Sequence, residues 1–304
     1  MRHAIITADD FGLDPAINEA VEQAFGAGVL TAASLMVGQV AAQDAIERAR
    51  RMPGLRVGLH VTLTGARPTL PAARVPDLVD RSGRLPTRLA AFGVQLAVNR
   101  AVRRQAQAEI RAQFEAFAAA GLELDHVNAH QHFHQHPIVL DAILRIGREF
   151  GMTAMRVPYE PRWLARRVPA TARNAGGVAG QFEAAAWRIG ADRIRRRLRA
   201  AGLACNDYLF GLRCSGNLDE ATFCAALDGL GDGVVEVYLH PATRDGAAER
   251  DAGVGARATA EFAALMSPSV RTRLRALCAC AGGSTGGYRD IPGRALEAIP
   301  AVAG

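Results

Sequence analysis

Short apolar runs alternate with segments of helical period along most of the chain. The run "AIITA" (4–8) is apolar and partly β-branched, which predicts a strand buried on both faces, as in a parallel sheet. Asp14 followed by Pro15 then signals a helix start. Ile17, Val21, Ala24 and Phe25 fall on one helical face, and Gly26 and Gly28 mark the end. The alternation continues with strands expected at 33–37, 56–63, 125–129, 154–158, 206–211 and 234–240. Helices are expected at 41–52, from Asn99 to about Gly121, from Pro137, through 187–203, around 218–229 and over 257–281.

Repeated β-then-α units without hairpin signals predict a parallel sheet with helices outside it. About seven such units suit a distorted TIM-like (β/α) barrel better than a doubly wound sheet, and no GxGxxG follows the first strand. Residues 1–304 are therefore expected to form a single catalytic barrel domain. Two segments depart from the alternation: 65–98, which carries Pro68, Pro71, Pro76 and Pro86, and the Arg-rich 160–203. Both are candidate lid or cap insertions. In the second, Trp187, Ile194, Leu198 and Ala201 recur at helical spacing and should face the core, with the arginines in water.

The net charge of +6 invites a nucleic-acid reading, but all 36 basic residues are arginine and aromatics make up only 6%. None alternates with the arginines as a base-stacking platform requires, so no nucleic-acid partner is expected. Five cysteines without metal or CxxC spacing read as reduced thiols. With no signal peptide and no apolar run of spanning length, a cytoplasmic location is expected.

Five of the eight histidines lie between His126 and His136, in "DHVNAHQHFHQHP". That segment is short of anionic ligands, so a metal site there has to be completed from other elements. The candidates sit at strand ends: Asp9 and Asp10 after the first strand, His60 in the third, His130 after the fourth, Arg156 in the fifth and His240 after the last. Barrel active sites are built at such ends. Taken singly, adjacent acids are most often a cap or a solvated turn, and a lone histidine in an apolar strand is most often a satisfied core residue. The argument rests on their conjunction. On a strand, His126 and His130 lie about 13 Å apart, too far to share one ion, and His130 is nearer the strand end. His132 and His134 could orient it, contact substrate or cap the next helix, and His136 reads as part of that helix start.

"TADDFG", "GLHVTL", "DHVNAHQHFH" and "YLHPAT", in this order, resemble the YdjC-like carbohydrate deacetylases over nearly the whole chain. "GVLTAASLMVG", "MPGLRVGLH" and "RVPYEP" resemble most the branch associated with hopanoid biosynthesis. The resemblance implies metal ligands Asp10, His60 and His130, a catalytic base Asp9 and a late catalytic histidine, His240. It implies one divalent ion, zinc first and magnesium as the alternative, and removal of an acetyl group from an N-acetylglucosaminyl hopanoid. Arg156, His132 and Asn128 are assigned to substrate binding. Many relatives carry an acid where this chain has Asn128, which can hydrogen-bond but adds no charge. A lipid substrate implies peripheral contact with the inner face of the membrane, through an apolar cap with Leu89, Phe92, Val94 and Leu96 and the Arg-rich 188–199. The alternatives are a soluble chito-oligosaccharide or other N-acetyl sugar as substrate, or a non-catalytic metal or nucleic-acid binder.

Overall fold

The computed structural model describes residues 1–169, 172, 178–246 and 257–292, with 178–187 described by backbone alone. The core packing expected of Trp187 therefore lies outside the described residues. In chain order the elements are β1 (Arg2–Phe11), α1 (Pro15–Gly26), β2 (Ala32–Leu35), α2 (Ala42–Arg51), β3 (Arg56–Val61), α3 (Leu89–Val98) and α4 (Arg100–Ala119). Then come β4 (Val127–Ala129), α5 (Pro137–Glu149), α6 (Arg162–Ala165), α7 (Val178–Ala200), β5 (Tyr208–Phe210), α8 (Glu220–Asp228) and β6 (Gly233–Leu239). The last are α9 (Ala258–Met266), α10 (Pro268–Ala279) and β7 (Gly283–Thr285).

All strand pairs are parallel, in the order β4-β3-β2-β1-β6-β5, with β7 against the start of β1. β1 is the axis of this curled sheet. Ala4, Ile5, Ile6 and Ala8 are fully buried, as a strand covered on both faces requires. Helix starts follow their local chemistry. The Asp14 carboxylate accepts from Ala16 N at 2.8 Å, Asn99 Oδ1 accepts from Ala101 N at 2.8 Å, and Ser267 Oγ accepts from Ser269 N at 3.1 Å. Pro15, Pro137 and Pro268 occupy first turns. On α7, Ala191, Ile194 and Leu198 are buried, and Arg188, Arg193, Arg196 and Arg199 point outward.

One expectation is met in part and three are corrected. The parallel α/β sheet is present, but the ladders do not close into a TIM barrel: among the described residues they end at β4 on one side and β5 on the other. The expected strand at 154–158 makes only single bridges, Val127 to Met155 and Ala154 to Ala204. The sheet still has seven strands, because β7 was missed; "GST" has no apolar pattern to announce it. The single helix expected over 257–281 is two, broken where Pro268 lacks the N–H to continue α9. Finally, the 65–98 excursion contains α3, whose Phe92 and Leu96 are buried at 1% and 0% while Val94 is 62% exposed. Phe92 stacks on Phe133 with centroids 5.2 Å apart. Of the expected apolar cap, only Val94 faces outward. No helix among the described residues is long and apolar enough to cross a membrane.

Candidate active site

β1 carries Asp9 and Asp10 within an irregularity of its pairing with β2, where the register shifts between Ala8 and Phe11. At Asp10 the backbone turns left-handed, with φ 63°, a conformation rare outside glycine. The only other non-glycine residues with positive φ among those described are Gln131 and His132, at 52° and 54°, directly after His130. Backbone strain of this kind costs on the order of 1–3 kcal/mol per residue, and here it falls at two places that meet in space.

What meets there is a buried triad. Asp10 Oδ1 lies 3.1 Å from His130 Nδ1 and 3.3 Å from His60 Nε2, and the two imidazoles stand edge to face with centroids 5.5 Å apart. One ligand atom from each residue lies within 4.8 Å of the others. Nitrogen and oxygen ligands at about 2.0–2.1 Å from a tetrahedral zinc are themselves about 3.3 Å apart, so the spacing suits a shared ion. Asp10 Oδ2 is buried without a hydrogen-bond donor, which a cation would relieve. This cluster can hold a divalent metal.

A hydrogen-bonded layer fixes the ligands. In β3 and β4 the register sets His60 opposite Asn128. The His60 Nδ1–H donates to Asn128 Oδ1 at 2.6 Å, so Nε2 is the ring nitrogen turned to Asp10 and, without a proton, the one that can ligate a cation. Asn128 Nδ2 donates to Asp9 Oδ1 at 3.2 Å and to Ser34 Oγ at 2.8 Å. Ser34 also meets His126 Nε2 at 3.2 Å, and His126 Nδ1 meets Asp125 Oδ2 at 2.9 Å. Both ring nitrogens of His126 are thus hydrogen-bonded, and it stands outside the triad.

Asp9 is held from the other side. Arg156 Nη1 donates to Asp9 Oδ2 at 2.5 Å and Nη2 to Asp9 Oδ1 at 3.0 Å. Burial pushes the Asp9 carboxyl up, but Arg156, His60 and His240 together overcome it and hold Asp9 well below the usual range. For Asp10, burial also acts upward, and His130, His60 and His240 bring it well below. His60 is lowered by burial, yet Asp9, Asp10 and Asn128 leave it above its usual value.

Arg156 is 0% exposed, with Nε, Nη1 and Nη2 all donating to carboxylates. It lies beneath the site rather than at its mouth. His132 sits edge-on to Tyr238, 5.2 Å between centroids, and Tyr238 sits edge-on to His240 at 5.5 Å. Burial, then Arg156 and His134, push His132 well down; burial, then Arg156, bring His134 to about 3. His136 is the N-cap of α5, with Nε2 toward Gly93 O at 3.2 Å. At the end of β6, His240 N donates to Glu261 Oε2 at 2.6 Å, while its Nδ1 is buried without a partner. Its field reaches both Asp9 and Asp10.

The residues missed from the sequence are Glu236, Tyr238, Glu261, Ser34 and Tyr288. Two had a signal. In "VVEVYLH" the polar residues Glu236, Tyr238 and His240 fall at every second position, the mark of one strand face turned toward a polar interior.

A family model described as YdjC-like protein matches residues 3–276. The chain belongs to this family. Among its relatives, the carbohydrate deacetylase of Brevibacillus brevis is 36% identical over 160 residues, 53% of this chain and 59% of the relative. That match spans somewhat more than half of the relative's length. The carbohydrate deacetylase of Vibrio vulnificus is 29% identical over 278 residues, 89% of this chain and 90% of the relative. Among solved structures, an Enterococcus faecalis protein provisionally assigned to cellobiose-phosphate cleavage superposes with a TM-score of 0.69 at 24% identity. That superposition covers 90% of this chain and 94% of the other, and supports the fold.

Proposed function

We propose that this YdjC-like protein is a metal-dependent hydrolase that removes the acetyl group from an N-acetylated amino sugar. The carrying observation is the buried Asp10–His60–His130 triad with an orphaned carboxylate oxygen, beside Asp9 and within reach of the charge of His240. The charge balance supports a dication. Asp9 and Glu236 pair with one guanidinium, Arg156, and with Asp10 they leave two negative charges in a buried site when the ligand imidazoles are neutral. Zinc fits two imidazoles and a carboxylate best, with magnesium as the alternative. A bound dication supplies Lewis acidity toward the acetamide carbonyl and the attacking water.

The chain's own residues handle the protons. Asp9, ionised and oriented by Arg156 and Asn128, takes the proton from the water attacking the acetyl carbon. His240 gives a proton to the sugar nitrogen as the C–N bond breaks. Water and the amide become acetate and a free amine. Arg156 acts on Asp9 and does not touch substrate; His132 lines the wall beside Tyr238, and Asn128 holds His60.

The relatives named as carbohydrate deacetylases support the reaction class, and the quoted motifs support an N-acetylglucosaminyl hopanoid as the substrate. Contact with an anionic bilayer through the outward arginines of α7 is part of the lipid reading. The single bridges beyond β4 support a distorted barrel-like ring.

Acetate release is the test, with the hopanoid in mixed micelles and, separately, with a chito-oligosaccharide. We expect the lipid to react roughly tenfold faster or more, and chelation to stop both. Asp9→Asn should retain the metal and lose about 10²- to 10⁴-fold in turnover. Release from the soluble sugar alone removes the lipid, release surviving chelation removes the metal, and release from neither removes the reading.

A further inference from the structure

We propose that Glu236 and Tyr288 are positioning residues for Asp9, so that the segment after α10 completes the active site from the N-terminal ends of the strands. This rests on the reading of Asp9 as the group that acts on water. The chain of contacts is short and entirely buried. Arg156 presents one edge to Asp9 and another to Glu236, with Nε to Oε2 at 2.9 Å and Nη2 to Oε1 at 2.7 Å. A guanidinium is planar and rigid, so fixing it on Glu236 fixes the direction in which it meets Asp9.

Glu236 has little freedom of its own. Its Oε1 also accepts from Thr7 Oγ1 at 2.7 Å, and its Oε2 from the Tyr288 hydroxyl at 2.6 Å. All four groups are fully buried: Thr7, Arg156, Glu236 and Tyr288. Tyr288 arrives from the turn after β7. The turn is pinned by Tyr288 N and Arg289 N donating to Asp125 at 3.1 and 3.0 Å, and by the Arg56–Asp290 pair at 2.6 and 2.8 Å. The Tyr288 ring also lies on His126, with centroids 5.1 Å apart.

Stability is a weak reason to bury such a cluster. Replacing a buried ion triad by apolar residues is often neutral or stabilising, so orientation of Asp9 is the better account. A residue that acts this way should change turnover without changing substrate or metal binding.

Three variants decide it: Tyr288→Phe, Glu236→Gln and, as a control, Arg56→Ala. Tyr288→Phe should lower kcat roughly fivefold with KM and metal content unchanged. Glu236→Gln should lower kcat by about 10²-fold, and its crystal structure should show Arg156 turned from Asp9. Arg56→Ala loosens the same segment from outside and should lower the melting temperature with kcat intact. Unchanged kcat in Tyr288→Phe overturns the proposal, as does equal loss in Arg56→Ala. So does a Glu236→Gln structure with the Arg156–Asp9 clamp intact, and that arm needs no turnover. If the wild-type protein releases no acetate, the functional reading fails instead, and the structural arm still decides whether Glu236 orients Arg156.

Discussion

The two walls of the site are built differently. From β1 to β4 the backbone makes continuous parallel ladders, and these place the triad by register: His60 stands opposite Asn128 because Leu59 pairs with Val127. Between β4 and β5 the backbone makes single bridges, and side chains take over. The Asn206 amide accepts from Val157 N at 2.7 Å and donates to Val157 O at 2.9 Å, the pair of bonds a neighbouring strand would make. Glu160 accepts from Gly211 N and Arg213 N, both at 3.1 Å. A laddered wall spreads its definition over many peptide groups, whereas a bridged wall concentrates it in a few side chains.

The sharpest way to break this contrast is Asn206→Ala. It strands the Val157 N–H in a fully buried place, deletes the Asn206 bonds to the Val157 and Tyr208 carbonyls, and removes a neighbour of the Tyr288 hydroxyl at 3.0 Å; the Val157 carbonyl keeps Tyr159 N at 2.9 Å. An unpaired buried N–H costs about 1–3 kcal/mol and each further buried hydrogen bond lost costs about 1 kcal/mol, so a loss of roughly 3 kcal/mol or more is expected in urea unfolding. A loss below about 1 kcal/mol would mean that the bridged wall is held by something other than Asn206.

The same contrast explains what the sequence reveals. Strand and helix period locate β1 to β3, β6, α1, α4 and α5, because each buries a regular face. They also put Asp9, Asp10, His60, His130 and His240 at strand ends, where the structure finds them. Period says nothing about 154–158, where a strand-like pattern makes only bridges and Asn206 supplies the missing bonds. α3 is apolar on both faces, so it offers no amphipathic signal within the proline-rich stretch. Arg156 was found but misplaced. Nothing in the sequence marks Glu236 as its partner 80 residues away, and a buried guanidinium looks like an exposed one until the fold brings the carboxylates.

Glu160 gives a second measure of the bridged wall, through pH. Its side chain is 2% exposed, and burial pushes its carboxyl up to about 7 against the pull of the Gly211 N–H, the Arg213 guanidinium and the Arg213 N–H. The native state therefore keeps a proton that the unfolded chain releases near its ordinary value of 4.5. Stability should fall as pH rises from about 4.5 toward 7 and level off above, by up to roughly 3 kcal/mol. Glu160→Gln cannot ionise and should flatten that slope. An unchanged slope in urea unfolding across this window assigns it to other groups.

The smallest expected effect belongs to the laddered wall, and its smallness is the point. Ser34 sits in β2 and links Asn128 to His126: Asn128 Nδ2 donates to it, and its hydroxyl is left to donate to His126 Nε2, whose Nδ1–H goes to Asp125. Ser34→Ala deletes the link, yet Asn128 Nδ2 keeps Asp9, Asn128 Oδ1 keeps His60, and the β2–β3 ladder still runs through position 34. Only His126 Nε2 is left without a partner, at a cost of about 1 kcal/mol. The ladder, not the hydroxyl, sets where His60 and Asn128 stand, so metal content should be unchanged and turnover should fall by less than about threefold. A loss of metal in Ser34→Ala would mean that this wall also depends on single side chains, and the distinction between the two walls would disappear.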